Sequence, residues 1–291
     1  MIKKRLCIIA AIMMMTCTIV LGGCSNRIMN ELTKKGYFAN SYDNAVAQTD
    51  IAKLFTNHFA DNNSKKKALL VAVDGFRVES FKYIFDRDLG MAQIAKSGGL
   101  YWTMPANIKT KAQVDIGVNF LSIVTGKEPS TFNVLKSTDA KRETPLSIMS
   151  TISNNYSVKF LTDNKNYIDV QMEEEFAAKN SQRLTYADCK DLSSLRTECI
   201  KSFDNSDFVC LAVSTPYNVA KANFSMSNAE YLSTLIHLNY NIGEIYRKIQ
   251  NRADEDWLVV VASTCGGRNK LAGYDEEGNV LTFMISNQKV Q

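Results

Sequence analysis

Two short apolar runs, each closed by glycine, constrain the fold of this chain more than any other feature. Residues 68–73 (ALLVAV) lead into Asp74 and Gly75, and residues 257–262 (WLVVVA) lead into residues 263–267 (STCGG). A continuous apolar run of this length is typical of a strand buried on both faces of a parallel sheet. Open α/β sheets bind ligands beyond the carboxyl ends of such strands. We therefore expect any chemistry to lie at these two turns.

Strand and helix patterns alternate along the rest of the chain. Helices are predicted over residues 79–85, 91–96, 111–124, 145–152, 192–203 and 228–250, and further strands over residues 158–162, 208–214 and 280–285. Such alternation favours an α/β fold in which a mostly parallel central sheet lies between two layers of helices, an α/β/α sandwich. Residues 68–291 have the length of a single domain.

The N-terminus predicts export. Residues 3–5 (KKR) are basic, residues 6–21 are apolar, and residues 21–24 read LGGC. This order is typical of a secretory signal peptide, and the apolar stretch is too short and too weakly flanked for a good membrane span. The LGGC segment resembles the lipobox of bacterial lipoproteins, so Cys24 is the predicted lipidation site. An uncleaved membrane anchor is the alternative, and both interpretations place the globular part outside the cytoplasm, on an outer membrane or cell surface.

The sequence thus divides into a signal peptide (1–23), a polar tether with one helix over residues 44–59 (24–67), and the α/β domain (68–291). Positions 1–23 hold three basic and no acidic residues, so 31 basic and 30 acidic residues remain after cleavage. A nearly neutral chain offers no electrostatic basis for binding nucleic acid. The expected partners are the membrane, through the lipid anchor, and an unknown protein or small-molecule ligand.

Four cysteines remain besides Cys24, namely Cys189, Cys199, Cys210 and Cys265. An exported protein meets an oxidising environment, but Cys210 lies in a strand pattern and is predicted to be a small buried hydrophobe. Cys189 and Cys199 flank a helical segment and can pair only if the backbone turns between them. The spacing of the four matches no zinc-binding pattern.

Five short segments follow one another in a characteristic order: residues 71–77 (VAVDGFR), 94–99 (IAKSGG), 119–129 (NFLSIVTGKEP), 207–211 (DFVCL) and 256–262 (DWLVVVA). This order resembles the alkaline phosphatase superfamily, particularly its type I phosphodiesterase/nucleotide pyrophosphatase branch, from residue 68 to the C-terminus. The resemblance implies two metal ions, usually zinc, bound by aspartates and histidines, and a Thr or Ser nucleophile. Two such cations neutralise the phosphoryl oxygens and activate the nucleophile.

The family's functional positions carry mostly unsuitable side chains in this chain. By resemblance, Asp74 is at the position of the first metal aspartate and Ile116 at that of the nucleophile. Tyr217 and Lys221 are at the positions of the Asp and His that follow the penultimate strand. Thr264 and Cys265 are at those of the Asp–His pair after the last central strand. Only Asp74 keeps the family's residue type, and Ile116 has no nucleophilic atom. The further histidine that the family has near the C-terminus has no counterpart before Gln291.

The histidine count agrees with this interpretation. The chain has two histidines, His58 and His237, and both fall in predicted helices rather than after strands. A dizinc site needs several imidazole or carboxylate ligands within about 2.0–2.2 Å of each metal. We therefore expect no zinc cofactor, with Asp74 as the only surviving ligand position.

Several polar residues have more than one interpretation. Asp74 is either a lone cation ligand or a cap of the turn after its strand, and Lys221 could supply the positive charge that the metals provide elsewhere in the family. Residues 110–111 (TK) could form a displaced nucleophile with a cationic partner. Cys265 is expected to be inert, since no histidine lies near it to form the thiolate. Residues 173–175 (EEE) are expected to be a solvated helix face.

The sequence therefore predicts a membrane-anchored lipoprotein whose alkaline-phosphatase-like domain has lost catalysis, a pseudoenzyme kept for binding or structure. One alternative is an active metal-dependent hydrolase of phosphate or sulfate esters with a rebuilt site. The other is a decayed or truncated member of the family. Metal content separates the first two interpretations, and a stable, monodisperse fold without metal separates the first from the third.

Overall fold

A computed structural model describes residue 32 and residues 34–85, 89–106, 116–131, 146–167, 183–221, 223–267 and 281–290. Residues from Asn40 onward form one compact unit. Its strands are β1 (Val46–Ala47), β2 (Lys66–Val73), β3 (Gly99–Met104), β4 (Val158–Thr162), β5 (Leu184–Asp188), β6 (Phe208–Val213), β7 (Asp256–Ser263) and β8 (Thr282–Ser286).

The helices are α1 (Ile51–His58), α2 (Phe81–Ile84), α3 (Met91–Ser97), α4 (Ile116–Thr125), α5 (Ile148–Ile152), α6 (Leu192–Ser202), α7 (Thr215–Ala220) and α8 (Ala229–Gln250). Single 3₁₀ turns cover Tyr42–Asn44, Gln48–Asp50, Val78–Ser80 and Pro129–Thr131. Within the described part of the chain, no helix combines the length and the apolar character needed to cross a membrane.

The strands form a single sheet in the order β1-β3-β8-β7-β2-β6-β4-β5. All neighbours are parallel except β8, which runs antiparallel to both β3 and β7. Ala68, Leu70 and Ala72 of β2 join a core cluster with residues of α1, α4 and α5, while α8 packs with α3 and α6. Helices thus cover the sheet in two groups, which confirms the predicted α/β/α class.

The apolar runs give the central strands at the predicted places because they are buried along almost their whole length. β4 has the predicted bounds, and β2 and β7 extend the predicted runs by one or two residues. The edge strand β5 was not predicted, since only its first residue is buried and its sequence lacks an apolar run. The helix α7 was not predicted either, because its segment has proline and asparagine and no apolar stripe.

The predicted boundary at residue 68 is wrong, because the compact unit begins at Asn40. In α1, Ile51 and Phe55 are fully buried, and the Phe55 ring lies 5.1 Å from that of Phe208 in β6. β1 pairs with β3. The polar residues around 62–67 hid the fact that the segment before them has an apolar face, so much of the predicted tether is part of the domain.

The cysteine residues of the domain are buried thiols. Cys189, Cys199, Cys210 and Cys265 form no disulfide with one another. Cys210 is fully buried in β6, as predicted, and burial raises the pKa of its thiol far above the usual value. Burial likewise raises the pKa of Cys189 to about 11, so thiolates are scarce in this part of the domain at neutral pH.

A buried carboxylate at the carboxyl edge of the sheet

Three adjacent central strands deliver polar side chains to the same place. Val73 of β2 is in register with Val213 of β6 and Ser263 of β7. The residues that follow these strands are Asp74 after β2, Ser214 after β6 and Thr264 after β7. The Asp74 amide donates to the Val213 carbonyl and the Thr264 amide to the Val73 carbonyl, both at 2.9 Å. These bonds extend the sheet by one residue and bring the three side chains together.

The carboxylate of Asp74 is enclosed by hydroxyl groups. Asp74 is 1% exposed. Its Oδ1 accepts a hydrogen bond from Thr264 Oγ1 at 2.7 Å, and its Oδ2 accepts from Tyr167 Oη at 2.6 Å and from Ser214 Oγ. We call Asp74, Tyr167, Ser214 and Thr264 the hydroxyl cage. Asp74 is thus neither a solvated ligand nor a simple turn cap.

Burial dominates the electrostatics of the cage. Desolvation raises the pKa of Asp74 to about 6, although the hydroxyl donors oppose the shift by stabilising the carboxylate. Burial also raises the pKa of the Tyr167 phenol well above its usual value. The phenol therefore stays protonated and acts as a donor, while the carboxyl group changes its protonation state close to neutral pH.

A second carboxylate lies next to the cage and has partners of its own. Asp163, directly after β4, accepts hydrogen bonds from the amides of Ser214 at 2.6 Å and Thr215 at 2.9 Å, and from the Thr215 hydroxyl. Burial raises the pKa of Asp163, and its charge contributes to the raised pKa of Asp74. Asp163 therefore fixes the backbone at the start of α7 and thereby positions Ser214 in the cage.

Two amide side chains hold Thr264 from the other side. The Thr264 carbonyl accepts from Asn119 Nδ2 of α4 at 2.7 Å and from Gln48 Nε2 at 3.0 Å. Gln48 also accepts at Oε1 from the Ala106 amide at 3.1 Å. Gln48 and Asn119 are both fully buried, so these bonds fix the loop after β7 rigidly against the helical layer.

The predicted ion pair between Asp74 and Lys221 is wrong. Lys221 is exposed just after α7, whereas Asp74 is buried and both its oxygens are occupied by hydroxyl donors.

Tyr217, the other family position on this helix, packs over the strand end: a Cβ at Gly75 would lie 2.8 Å from Tyr217 Cα. Gly75 also has φ +69°, so glycine is required there by both backbone conformation and space.

The remaining predicted positions contribute no reactive group to the described site. Cys265 is fully buried, and its carbonyl accepts from the Phe76 amide at 3.1 Å and from Ser263 Oγ at 2.9 Å. Ile116 is the first residue of α4, and its side chain lies outside the described part. Cys24, residues 110–111 and residues 173–175 also lie outside it.

Neither histidine is among the hydrogen-bond partners of Asp74. His58 is at the opposite edge of the sheet, where Nε2 lies 3.0 Å from the Lys67 carbonyl and 3.1 Å from the Asp256 carbonyl. His237 is exposed on α8. Among the described residues, no three or more His, Cys, Asp and Glu side chains are grouped to hold a metal ion. The described side chains therefore do not fit a pair of zinc ions, since the central carboxylate already accepts hydrogen bonds from three hydroxyl groups.

Sequence reasoning identified Asp74 and Thr264 but missed the other members of the cage. Tyr167, Ser214 and Asp163 each follow a strand or lie within a few residues of its end, and that position was the available signal. Gln48 lies in the predicted tether, where nothing marked it. Asn119 belongs to a segment used for the family resemblance, yet its contact with Thr264 spans 145 residues.

No protein-family model matches the chain, and no curated protein sequence matches it. Among solved structures, the phosphonate monoester hydrolase of Agrobacterium radiobacter is similar with a TM-score of 0.50 and 12% identity, over 78% of this chain and 70% of that one. Phosphonoacetate hydrolase from Sinorhizobium meliloti 1021, in complex with phosphonoformate, has a TM-score of 0.50 and 12% identity, over 69% and 56%. Ps i-CgsB has a TM-score of 0.51 and 15% identity, over 77% and 66%.

The match spans less than two thirds of the length of the latter two proteins. At these identities the likeness concerns the fold and not the activity. The chain thus has an alkaline-phosphatase-like α/β/α fold.

Proposed function

We propose that this protein is an exported lipoprotein whose alkaline-phosphatase-like domain no longer hydrolyses esters and serves as a binding or structural module. The hydroxyl cage around Asp74 is the observation that carries this proposal. Ester hydrolysis by two metals requires carboxylate oxygens that are available to coordinate cations. Here both oxygens of the one retained family carboxylate accept hydrogen bonds from protein hydroxyls.

The cage replaces the metals as the source of stabilisation for Asp74. A buried carboxylate without partners is strongly disfavoured, and in the superfamily dications supply the compensation. In this chain Thr264, at a metal-ligand position of the family, donates a hydrogen bond instead. Ser214 and Tyr167 complete the set. These donors offset part of the cost of burying the Asp74 carboxylate at the sheet edge without a cation.

The decisive experiment combines metal analysis with activity assays on the purified protein. We expect less than one zinc ion per chain by elemental analysis, and no turnover of aryl phosphate monoesters, diesters or sulfate esters above background. Asp74→Ala should leave this background unchanged, as should the matched control Asp188→Ala at an exposed position. Stoichiometric zinc together with turnover that Asp74→Ala abolishes would instead establish the active hydrolase with a rebuilt site.

The decayed or truncated family member predicts a different physical behaviour. A chain with an incomplete fold should aggregate or unfold without cooperativity, whereas the proposed module should be monodisperse and unfold in one cooperative transition without added metal. Size-exclusion chromatography and thermal unfolding in the presence of a chelator measure this. A non-cooperative transition contradicts the proposal.

The anchoring part of the proposal rests on the LGGC segment at residues 21–24. Cys24 should become the lipidated first residue, which tethers the domain to the membrane on the non-cytoplasmic side. Cys24→Ala should stall processing or release the protein, whereas Cys17→Ala, within the predicted signal peptide, should do neither. Intact-mass analysis is the test, and a mature N-terminus without lipid contradicts this part.

A further inference from the structure

A cavity of about 310 Å³ opens at the edge of the sheet opposite the hydroxyl cage. Its floor is Leu258 of β7 and Ser286 of β8, and its walls come from α1 and residues 288–290. The amino ends of β2 and β7 lie beside it, with Lys66 in register with Asp256. Small-molecule sites have volumes of about 300–1,000 Å³, so this amino-edge pocket has room for a small ligand.

One side of the amino-edge pocket is apolar and preformed. Leu54 and Val290 line it and pack against the hydrophobic core, and Leu258 is 3% exposed. These side chains are held by the core beneath them. An apolar chain of a few carbon atoms can therefore bind there without a large rearrangement of the protein.

The charged groups of the amino-edge pocket are cationic. Lys66 and Lys289 are the charged side chains among the described residues that line it. Lys66 Nζ lies 2.6 Å from Asp256 Oδ2 and 3.9 Å from Asp61 Oδ2, so two partly exposed carboxylates orient the ammonium group and compensate its charge. Lys289 is exposed on the C-terminal segment. Among the described residues, Lys289 is therefore the cation of the pocket that no ion pair compensates, and one such charge suits a monoanion.

His58 adds polarity to the pocket without adding charge. Both atoms that face its Nε2 are carbonyl oxygens, those of Lys67 and Asp256. Carbonyl oxygens only accept hydrogen bonds, so Nε2 carries the proton. Burial lowers the pKa of His58 below its usual value, and the ring is therefore neutral at neutral pH. The uncompensated positive charge of the described pocket therefore comes from Lys289.

We propose that the amino-edge pocket binds a small amphipathic monoanion, a carboxylate on a short apolar chain. The carboxylate binds at Lys289, and the apolar chain lies against Leu54, Leu258 and Val290. Such a ligand matches the cavity in size, charge and polarity. The pocket shares no described lining residue with the hydroxyl cage, so this assignment does not depend on whether the cage has lost catalysis.

The test uses the full chain with labelled leucine and valine methyl groups, titrated with hexanoate and followed by NMR. We expect saturable shifts at the methyls of Leu54, Leu258 and Val290, with a dissociation constant below about 10 mM. Lys289→Gln should weaken binding by about tenfold, because it removes a charged hydrogen-bond donor. The matched control Lys165→Gln, at an exposed lysine after β4, should leave binding unchanged.

A neutral ligand and added salt distinguish a charged site from a purely apolar one. Hexanol has the same chain without the charge and should bind at least about tenfold more weakly than hexanoate, and added salt should weaken hexanoate binding. The proposal is overturned by the absence of saturable shifts at these methyls, by equal binding of hexanol, or by unchanged hexanoate binding in Lys289→Gln. Lys289 lies at the surface, so its substitution leaves the fold intact.

Discussion

The two edges of the central sheet place their charged groups in opposite environments. At the carboxyl edge, Asp74 is 1% exposed and accepts all its hydrogen bonds from protein hydroxyls. At the amino edge, the Lys66 side chain is 19% exposed and pairs with an Asp256 side chain that is 48% exposed. The Asp74 carboxylate at the carboxyl edge is closed to solvent, whereas the Lys66–Asp256 pair at the amino edge remains open to it.

This difference shows why the fold alone does not give the function. In open α/β sheets the carboxyl edge is the usual ligand site, and the resemblance to a hydrolase family points to the same edge. In this chain that edge has its central carboxylate satisfied internally. The open edge, which the family resemblance does not mark, retains cationic groups beside a cavity.

Asp74→Ala should give the largest effect, because it removes the common acceptor of three buried hydroxyls. Each unsatisfied buried polar group costs about 1–3 kcal/mol, so we expect the free energy of unfolding at pH 5 to fall by about 4 kcal/mol. Urea denaturation measures it, and the exposed control Asp188→Ala should stay within about 0.5 kcal/mol of wild type. A loss below about 1 kcal/mol would mean that the hydroxyls find other partners.

The second prediction concerns pH. The pKa of Asp74 is raised from 3.8 to about 6, so the folded state binds a proton more tightly than the unfolded state. The associated stabilisation is complete below pH 3.8, is lost as pH rises to about 6, and is constant above that. The shift corresponds to about 3 kcal/mol.

Comparison with Asp74→Asn isolates this contribution, since burial raises the pKa of Asp163 in the same direction. The difference in unfolding free energy between wild type and Asp74→Asn should therefore fall by about 2 kcal/mol between pH 4 and pH 7. Denaturation curves at several pH values measure it. A difference that is independent of pH would contradict the raised pKa and the closed character of this edge.

Tyr167→Phe should have a smaller effect, because it removes one of the three donors and keeps the ring. The ring lies 4.7 Å from that of Phe120 in an edge-to-face arrangement, and this packing is preserved. We expect a loss of about 1.5 kcal/mol and a further rise in the pKa of Asp74. The control Tyr240→Phe, at a largely exposed tyrosine of α8, should change neither the stability nor its pH dependence.

The smallest effect is expected at the amino edge. A double-mutant cycle of Lys66→Met and Asp256→Asn should give a coupling energy below about 1 kcal/mol, because partly exposed ion pairs contribute little. Raising the salt concentration should reduce it further. A coupling above about 2 kcal/mol would remove the contrast between the two edges and show that Lys66 is held as firmly as Asp74.

The sequence predicted the central strands and most helices, since their patterns are local. Burial on both faces gives β2, β6 and β7 their continuous apolar runs. The apolar stripe of α8, with its period of 3.6 residues, is likewise a local pattern that predicts a helix. Four of the described elements were missed, namely β1, β3, β5 and α7. An edge strand such as β5 and a six-residue helix such as α7 carry little periodic signal. The apolar face of α1 was overlooked beside a polar segment, which placed the domain boundary too late.

The candidate site was predictable only in part. Asp74 and Thr264 stand directly after apolar runs, so their position at the sheet edge follows from the sequence. Their hydrogen bond joins residues 190 positions apart, and it forms only because β2 and β7 are neighbours in the sheet. The expected Lys221 partner was wrong because an alignment cannot fix which side of a short helix faces the strand end.

By itself, therefore, the sequence determined that a buried, mostly parallel sheet forms and that its carboxyl edge lacks the histidines of a dizinc site, because hydrophobic runs and residue identities are local properties. The tertiary structure decided which groups satisfy Asp74 and where an open, cationic cavity remains. Those outcomes depend on strand order and on contacts between distant segments, and burial then sets the energy of each charge.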